Sequence, residues 1–254
     1  MRSSRSLPTL AVLVTWVAFA ACAASGVTPP LDDEGDGDTG TKADRNSGPG
    51  DPHAADTGTD GRNDAADTRP FACIASEAPS PDLVINEVDY DSVGTAEDQE
   101  FLEIFNRSSA PRSLDGLEVV FFNGNASPNK DFKHVDLSPL GSLPNGAYLV
   151  IGSRTVDAGA GVPFIPIDPS TIQNGPRDAV AIMDKTTHRV LDSLSYEGAL
   201  TEPCNLSEGT ETSAQDSNEN EGSLIRSPNG TDTNNASADW KFTSHPTPGA
   251  ANVE

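Results

Sequence analysis

Five acidic side chains are the residues of this sequence best suited to bind a metal ion: Asp89, Asp91, Glu97, Asp98 and Glu100. They lie on the connection between two predicted strands, where a loop can fold hard oxygen ligands around calcium. Without a counterion these carboxylates repel one another. We therefore expect either a bound calcium ion or full solvation of the charges.

A second group of acidic and amide side chains precedes the last predicted strand and consists of Asn229, Asp232, Asn234, Asn235 and Asp239. It is a further candidate for calcium. Asparagine and aspartate are also the ordinary residues of tight turns, because their side chains bond their own backbone. We favour turn chemistry here. We favour solvation for the acidic run at 32–38, which lacks the distal glutamate of a calcium loop.

The sequence offers little that could carry catalysis. Its four histidines, His53, His134, His188 and His245, are far apart, and none stands in an H-E-x-x-H or C-x-x-C context. The sequence contains no G-x-S-x-G elbow, phosphate loop or dinucleotide fingerprint. We therefore expect no enzymatic activity, and no cofactor other than the candidate calcium.

Three charged residues fall within predicted strands, where a charge is costly to bury unless it is paired. They are Glu87, Glu103 and Arg226. Two interpretations stay open: Arg226 pairs with one of the glutamates, or all three face outward on an edge. The segment 197–221 carries seven acidic residues and no basic one. It is expected to be a long solvated loop, or else a surface that a cationic partner recognises.

Short strands separated by turn residues fill the sequence from residue 82 onward. Gly, Pro, Asn or Asp punctuates nearly every gap, and no window of a dozen residues keeps a 3.6-residue period. Strands at this spacing predict an all-β antiparallel sandwich in which alternate side chains fill the space between two sheets. The predicted strands are 83–88, 101–106, 117–122, 132–137, 147–151, 179–183, 190–196, 223–226 and 240–243.

Several of these segments together resemble a lamin-tail domain. The opening segments are I-N-E-V-D-Y at 85–90, E-F-L-E-I-F-N at 100–106 and L-D-G-L at 114–117. In the family's order there follow G-A-Y-L-V-I at 146–151, V-L-D-S-L-S-Y at 190–196, G-S-L-I-R at 222–226 and P-G-A-A-N at 248–252. The resemblance spans about residues 82–253 and implies an immunoglobulin-like sandwich.

The resemblance is to the exported bacterial branch of that family, in which the domain looks like an attachment or binding module. A nuclear lamin would carry a long heptad rod and a C-terminal prenylation signal. This sequence shows neither, so the resemblance does not imply the nuclear functions.

Residues 1–21 are expected to be a lipoprotein signal peptide. Arg2 and Arg5 precede an apolar run at 7–21 that is too short for a comfortable transmembrane helix. The tetrapeptide F-A-A-C at 19–22 resembles a bacterial lipobox, in which Cys22 would carry the lipid. Ordinary signal-peptidase cleavage and an uncleaved anchor are the alternatives. By resemblance to known lipoprotein sorting, Ala23 points to the outer membrane.

Residues 22–78 are interpreted as a disordered acidic linker of Asp, Gly, Thr, Pro and Ala, because such a segment cannot bury enough apolar surface to order itself. Residues 79–254 then form the folded domain. If Cys22 carries lipid, Cys73 and Cys204 are the only possible intramolecular disulfide. The alternative is two free thiols.

The overall charge of -23 makes nucleic acid an unsuitable partner, because binding to it depends on Lys and Arg. These features predict an exported, membrane-anchored binding or attachment module at the cell surface or in the periplasm, and an outer-membrane lipoprotein in particular. Its partner is expected to be an unidentified envelope protein or a glycan. The alternatives are a calcium-dependent adhesion protein and an exported hydrolase with its site in the sandwich loops.

Overall fold

The computed structural model describes residues 71–127 and 130–254. The predicted signal peptide, Cys22, the linker up to residue 70, the acidic run at 32–38 and His53 lie outside the described residues. What the sequence predicts for them stays a prediction.

Twelve strands are formed within the described residues: β1 (Leu83–Asp89), β2 (Phe101–Asn106), β3 (Arg112–Ser113), β4 (Leu117–Phe122), β5 (Asp131–Asp136), β6 (Ser142–Leu143), β7 (Tyr148–Ser153), β8 (Phe164–Ile167), β9 (Asp178–Asp184), β10 (Val190–Tyr196), β11 (Ser223–Arg226) and β12 (Trp240–Thr243). One 3-10 turn (Ser138–Leu140) and one short helix, α1 (Ala236–Asp239), interrupt them. No helix among the described residues is both long and apolar enough to cross a bilayer.

Two sheets stack to form an immunoglobulin-like sandwich. The larger sheet has the strand order β12-β11-β1-β2-β7-β8, and the smaller has the order β10-β9-β4-β5. A separate ribbon pairs β3 with β6. All pairs are antiparallel except β7 with β8, which is parallel. The predicted all-β sandwich is therefore confirmed, with one parallel edge strand that the sequence did not indicate.

The main core lies between the two larger sheets. Ile85, Leu102 and Leu149 from the six-stranded sheet join Val119 and Ile182 from the four-stranded sheet in one cluster, all without solvent exposure. The strand period of two directs these alternate side chains inward. Burying each such side chain contributes about 1.5–3 kcal/mol to folding.

The outer face of the four-stranded sheet is covered as well. Val120, Phe122 and Met183 form a second cluster there, and Phe71 and Leu206 pack with them. This covering on both faces explains why β4 is buried along its whole length. Segments before β1 and after β10 thus contribute to the hydrophobic packing on this outer face.

The first described residues contact the sandwich. The N–H of Ile74 donates to the His188 carbonyl at 2.9 Å, and the N–H of Val190 donates to the Ile74 carbonyl at 2.8 Å, so Ile74 extends the small sheet beside β10. Cys73 and Cys204 form a disulfide with their Cα atoms 5.5 Å apart. The predicted disulfide is confirmed. Residues 71–74, which the sequence analysis grouped with the linker, are thereby attached to the folded domain.

The segment after β12 crosses the outer face of the six-stranded sheet. Its close approach depends on Gly249, whose φ is +85° and whose position leaves no room for a Cβ, since that atom would lie 2.1 Å from the Ala158 carbonyl oxygen. The Gly249 N–H donates to Glu103 Oε2 at 2.6 Å. The outer face of the six-stranded sheet therefore carries polar side chains, and the segment after β12 covers them.

The nine predicted strands are all present, with ends that differ by at most two residues. The sequence analysis missed β3, β6 and β8. β3 and β6 have only two residues each, and β8 has the sequence F-I-P-I, in which Pro166 breaks the strand pattern. The formation of such short or irregular strands depends on pairing with neighbouring strands more than on the residues of the strand itself.

Candidate functional site

One end of the sandwich gathers carboxylates from three loops. β1 ends at Asp89 and β2 begins at Phe101, so the connection 90–100 lies at this end. The connection between β8 and β9 adds Asn174, and the loop after β10 adds Asp216. We call this region the acidic end and define it by Asp89, Asp91, Glu97, Glu100 and Asp216.

Two carboxylates of the acidic end share a single amide donor. Asn174 Nδ2 donates to Asp91 Oδ1 and to Glu97 Oε1, at 3.0 Å in both cases. Ser170 Oγ donates to the other oxygen of Glu97. Asp98, which was predicted with this group, contributes its backbone carbonyl to Thr155 Oγ1 at the margin. Neutral donors thus hold the outer part of the acidic end together.

Glu100 is the innermost member of the group. Its side chain is 0 % exposed. The backbone N–H of Ile172 lies close enough to favour the anion, but neither carboxylate oxygen has a partner with hydrogen-bonding geometry among the described residues. Burial raises its pKa to about 9, and the nearby charges of Glu97, Asp89 and Asp91 act in the same direction. A buried polar group without a partner is rare in folded proteins and requires a specific explanation.

Asp89 is the second buried member, and it is 6 % exposed. Its Oδ1 has no hydrogen-bond partner among the described residues, and burial, followed by the charge of Asp216, raises its pKa to about 9. Asp216 accepts from the Tyr90 N–H at 3.3 Å, and burial raises its pKa to about 7. The acidic end therefore contains several carboxylates that burial disfavours as anions.

A second acidic group, formed by Asp192, Glu208, Asp232 and Asp239, surrounds Arg226. The fully buried guanidinium places Nη2 2.8 Å from Asp192 and 3.3 Å from Glu208, and Nη1 3.1 Å from Asp239 and 3.6 Å from Asp232. Oxygens of Asp192, Glu208 and Asp232 lie within 4.8 Å of one another, as metal ligands do. The guanidinium already supplies the cation, so we call this group the arginine centre and regard it as structural.

Both interpretations of the charged strand residues were wrong. Arg226 contacts neither Glu87 nor Glu103, and all three side chains are buried rather than facing outward. Strand alternation explains the error, because Arg226 shares the inner face of β11 with Leu224. The glutamates lie on the outer face of β1 and β2, where Glu87 accepts from Ser223 Oγ at 2.6 Å.

The predicted calcium group at 229–239 is instead a turn built around the arginine centre. The Asn234 N–H donates to Asp232 Oδ1 at 2.8 Å, and the Thr233 N–H donates to Asp239 Oδ2 at 2.8 Å. These bonds are the turn chemistry that the sequence analysis favoured. Arg226 lies 3.6 Å from Asp232 and 3.1 Å from Asp239, so these two carboxylates already face a cation of the protein.

Two of the described histidines lie against the same aromatic ring. His188 stacks on Phe71 with ring centroids 4.8 Å apart, and His134 meets the same ring edge-on at 5.6 Å. His134 also lies between Glu118 at 3.1 Å and Asp131 at 3.2 Å, on the exposed side of β5. His245 lies apart from them, in the loop after β12 beside Ser244.

Four residues that complete the two acidic groups were not predicted from the sequence, namely Asn174, Asp192, Glu208 and Asp216. Glu208 and Asp216 fall in the segment 197–221, which was predicted to be a solvated loop. That prediction was wrong, because Leu200, Leu206 and Glu208 of this segment are buried. The two leucines among polar residues were the available signal.

Comparison with known protein families gives one match. The model of the family described as Lamin Tail Domain matches residues 76–198. No curated protein gives a significant match to the sequence. The matched residues contain β1 to β10, whereas β11, β12 and Arg226 lie beyond them.

Proposed function

This chain carries a lamin tail domain over residues 76–198, and from that premise we propose that it is an exported, membrane-anchored attachment module. The domain is an immunoglobulin-like structural and binding fold, and fold alone implies no chemistry. We infer that the protein acts by binding and not by catalysis. For the rival proposal, a hydrolase in the sandwich loops, the described residues offer one Ser–His contact, Ser244 Oγ with His245 Nδ1 at 3.3 Å. These two side chains are exposed neighbours in sequence, and no carboxylate among the described residues orients the imidazole as a catalytic base requires.

The disulfide is the observation that carries the proposal of export. Cys73 and Cys204 are joined across a sequence separation of 131 residues. Disulfides persist in oxidising compartments such as the periplasm and the cell surface, and they are rare in the cytosol. The lipobox-like F-A-A-C at 19–22 adds the proposed anchor, and Ala23 supports the outer membrane as its destination.

The proposed partner is an envelope protein or a glycan. The high negative charge of the chain, -23, opposes binding to phosphate backbones and favours partners that are neutral or cationic. A linker between anchor and domain would let the sandwich reach such partners away from the bilayer surface.

The anchor is tested by cell fractionation of the full-length chain carrying Cys22→Ala. The wild type is expected in the membrane fraction, and the variant is expected in the soluble exported fraction because it lacks the thiol that accepts the lipid. Ala23→Ser is the matched control, since it changes the next residue and keeps that thiol. Membrane partitioning of Cys22→Ala equal to that of the control would refute the anchor.

A further inference from the structure

We propose that the acidic end binds one calcium ion, with Glu100 as its innermost ligand and Asp91 and Glu97 beside it. This site is independent of the membrane anchor and of the attachment partner. It concerns residues for which the family match assigns no role.

Glu100 differs from the other buried glutamates of the same sheet. Glu87 is fully buried, and it accepts from the Thr247 N–H at 2.9 Å and from Thr247 Oγ1 at 2.8 Å. Glu103 is equally buried, and it accepts from Asn86 Nδ2 at 2.7 Å and from the Gly249 N–H at 2.6 Å. Both oxygens of Glu100 lack such partners. The fold provides donors for Glu87 and Glu103, so the open oxygens of Glu100 point to a ligand.

The acidic end also differs from the arginine centre in its charge balance. At the arginine centre a guanidinium faces four carboxylates. In the salt bridges found among residues 71–127 and 130–254, no Lys or Arg pairs with a member of the acidic end. Asn174 is the donor that links Asp91 to Glu97, and it is neutral. A cation from solution would therefore meet these carboxylates without competition from a lysine or arginine in the salt bridges of the described residues.

The surroundings of Glu97 leave room for a cation to enter. A cleft of about 210 Å³ lies between the connections 90–100 and 168–177 and is lined by Glu97, Ser170, Asn174 and Asp178. Asp91 and Glu97 meet at Asn174 on the side of this cleft. The cleft thus gives solvent access to Glu97 and Asn174, whereas Glu100 does not line it and is buried.

The ligand chemistry selects calcium. The available groups are carboxylate and amide oxygens on flexible connections, without histidine or cysteine, which suits a hard cation and not zinc. Calcium accepts six to eight oxygens in irregular geometry, whereas magnesium demands a near-ideal octahedron. No three carboxylates of the acidic end approach within the 4.8 Å found at the arginine centre. Binding therefore has to draw the connections together, which fits the weak affinities, about 10⁻⁴ to 10⁻³ M, of extracellular calcium modules.

The proposal is tested by thermal unfolding of the full-length chain, purified in detergent and freed of metal with EDTA, in the presence and absence of calcium chloride. A ligand at a hundred times its Kd is expected to raise the Tm of a domain of this size by about 5 to 10 °C. Titration calorimetry should give one calcium per chain. No shift in millimolar calcium, or an equal shift in equimolar magnesium, would overturn the proposal.

Two variants locate the ion. Glu100→Gln should abolish the calcium shift and leave the Tm in EDTA no lower, because the amide keeps the size and shape of the buried side chain. Asp91→Asn, at a half-buried position, should reduce the shift and serves if Glu100→Gln does not fold. Asp115→Asn removes one exposed charge at a distant turn and should keep the full shift. A full shift in both Glu100→Gln and Asp91→Asn would contradict the site.

Discussion

The arginine centre holds more carboxylates than its one guanidinium can pair, and all of them are buried. Burial, and after it the adjacent charge of Asp192, raise the pKa of Glu208 to about 9 against the opposing effect of Arg226. Burial also raises the pKa of Asp192 to about 6. Glu208 therefore keeps its proton near neutral pH, which leaves the charges of Arg226 and Asp192 to pair at 2.8 Å.

This proton makes stability depend on pH. An unfolded glutamate has a pKa of about 4.3, so between that value and about 9 the folded chain holds a proton that the unfolded chain has lost. The resulting stabilisation is fully present below the unfolded pKa and disappears as pH rises through the folded pKa. We expect the free energy of unfolding of the wild type, measured with urea in EDTA, to fall by at most about 1.4 kcal/mol per pH unit from this group.

Glu208→Gln should show a shallower decline with pH than the wild type, because an amide does not titrate. Glu211→Gln is the matched control, since Glu211 is exposed in the same loop, and it should retain the wild-type slope. Identical slopes for all three proteins between pH 5 and pH 9 would show that Glu208 does not hold the proton there.

The partners of Arg226 illustrate what the sequence could not reveal at the residue scale. Its presence in a strand correctly indicated a charge that needs compensation if it is buried. The carboxylates that provide this compensation stand 34, 18 and 13 residues away at Asp192, Glu208 and Asp239. Asp192 faces Arg226 from β10, whereas Glu208 comes from the loop after β10 and Asp239 from α1. A single sequence does not determine that these three places meet.

Among the elements, the entry segment and the loop after β10 form one unit through the disulfide. Cys73 and Cys204 both pack beside the cluster that covers the outer face of the four-stranded sheet. In the chain-entropy model, closing a loop of 131 residues stabilises the folded state by about 4 to 5 kcal/mol. The bond thus contributes a large share of a typical domain stability of 5–15 kcal/mol.

Cys73→Ser should lower the Tm by about 10 °C under oxidising conditions, since each kcal/mol moves the midpoint by roughly 2–4 °C in a domain of this size. The measurement is differential scanning calorimetry of the full-length wild type and variant with and without reductant. In reductant both proteins lack the bond and should melt together. Equal midpoints without reductant would show that the disulfide does not stabilise the domain.

Strands were predictable from the sequence where their own residues carry the pattern, as in β2 and β4. The burial of the acidic loop 197–221 was not predictable from the sequence. It depends on the packing of Leu200 and Leu206 against the outer face of the four-stranded sheet, and the sequence did not indicate that this face is apolar. Likewise, the carboxylates at 89–100 predicted either a bound calcium ion or full solvation, whereas the contribution of Asn174 and Asp216 depends on the folding of distant loops.

For the whole molecule, the folded unit extends beyond the family match. β11 lies between β1 and β12 in the larger sheet, with Glu87 opposite Ile225. Leu224 and Trp240 belong to the main core, and Arg226 closes the arginine centre. The residues after 198 are thus part of the domain and not an appended tail.

Removing residues 199–254 should therefore abolish cooperative folding. The truncated chain loses buried side chains worth about 1.5–3 kcal/mol each and exposes the long edge of β1. Circular dichroism during heating provides the measurement. Deleting Glu254 alone, which removes an exposed ion pair with Lys241, is the control and should change stability by less than about 1 kcal/mol. A sharp transition of the truncated chain near the wild-type Tm would mean that residues 76–198 fold alone.

The attachment of the entry segment also decides how the domain responds to mechanical force. A pull on the chain before Phe71 reaches Cys73, where it divides into two covalent routes. One route runs onward through Ile74 to β1, and the other crosses the disulfide to Cys204, in the segment that joins β10 to β11. β1 and β11 are neighbours in the six-stranded sheet, whereas β10 belongs to the four-stranded sheet. Force applied before Cys73 is therefore delivered to strands of both sheets at once.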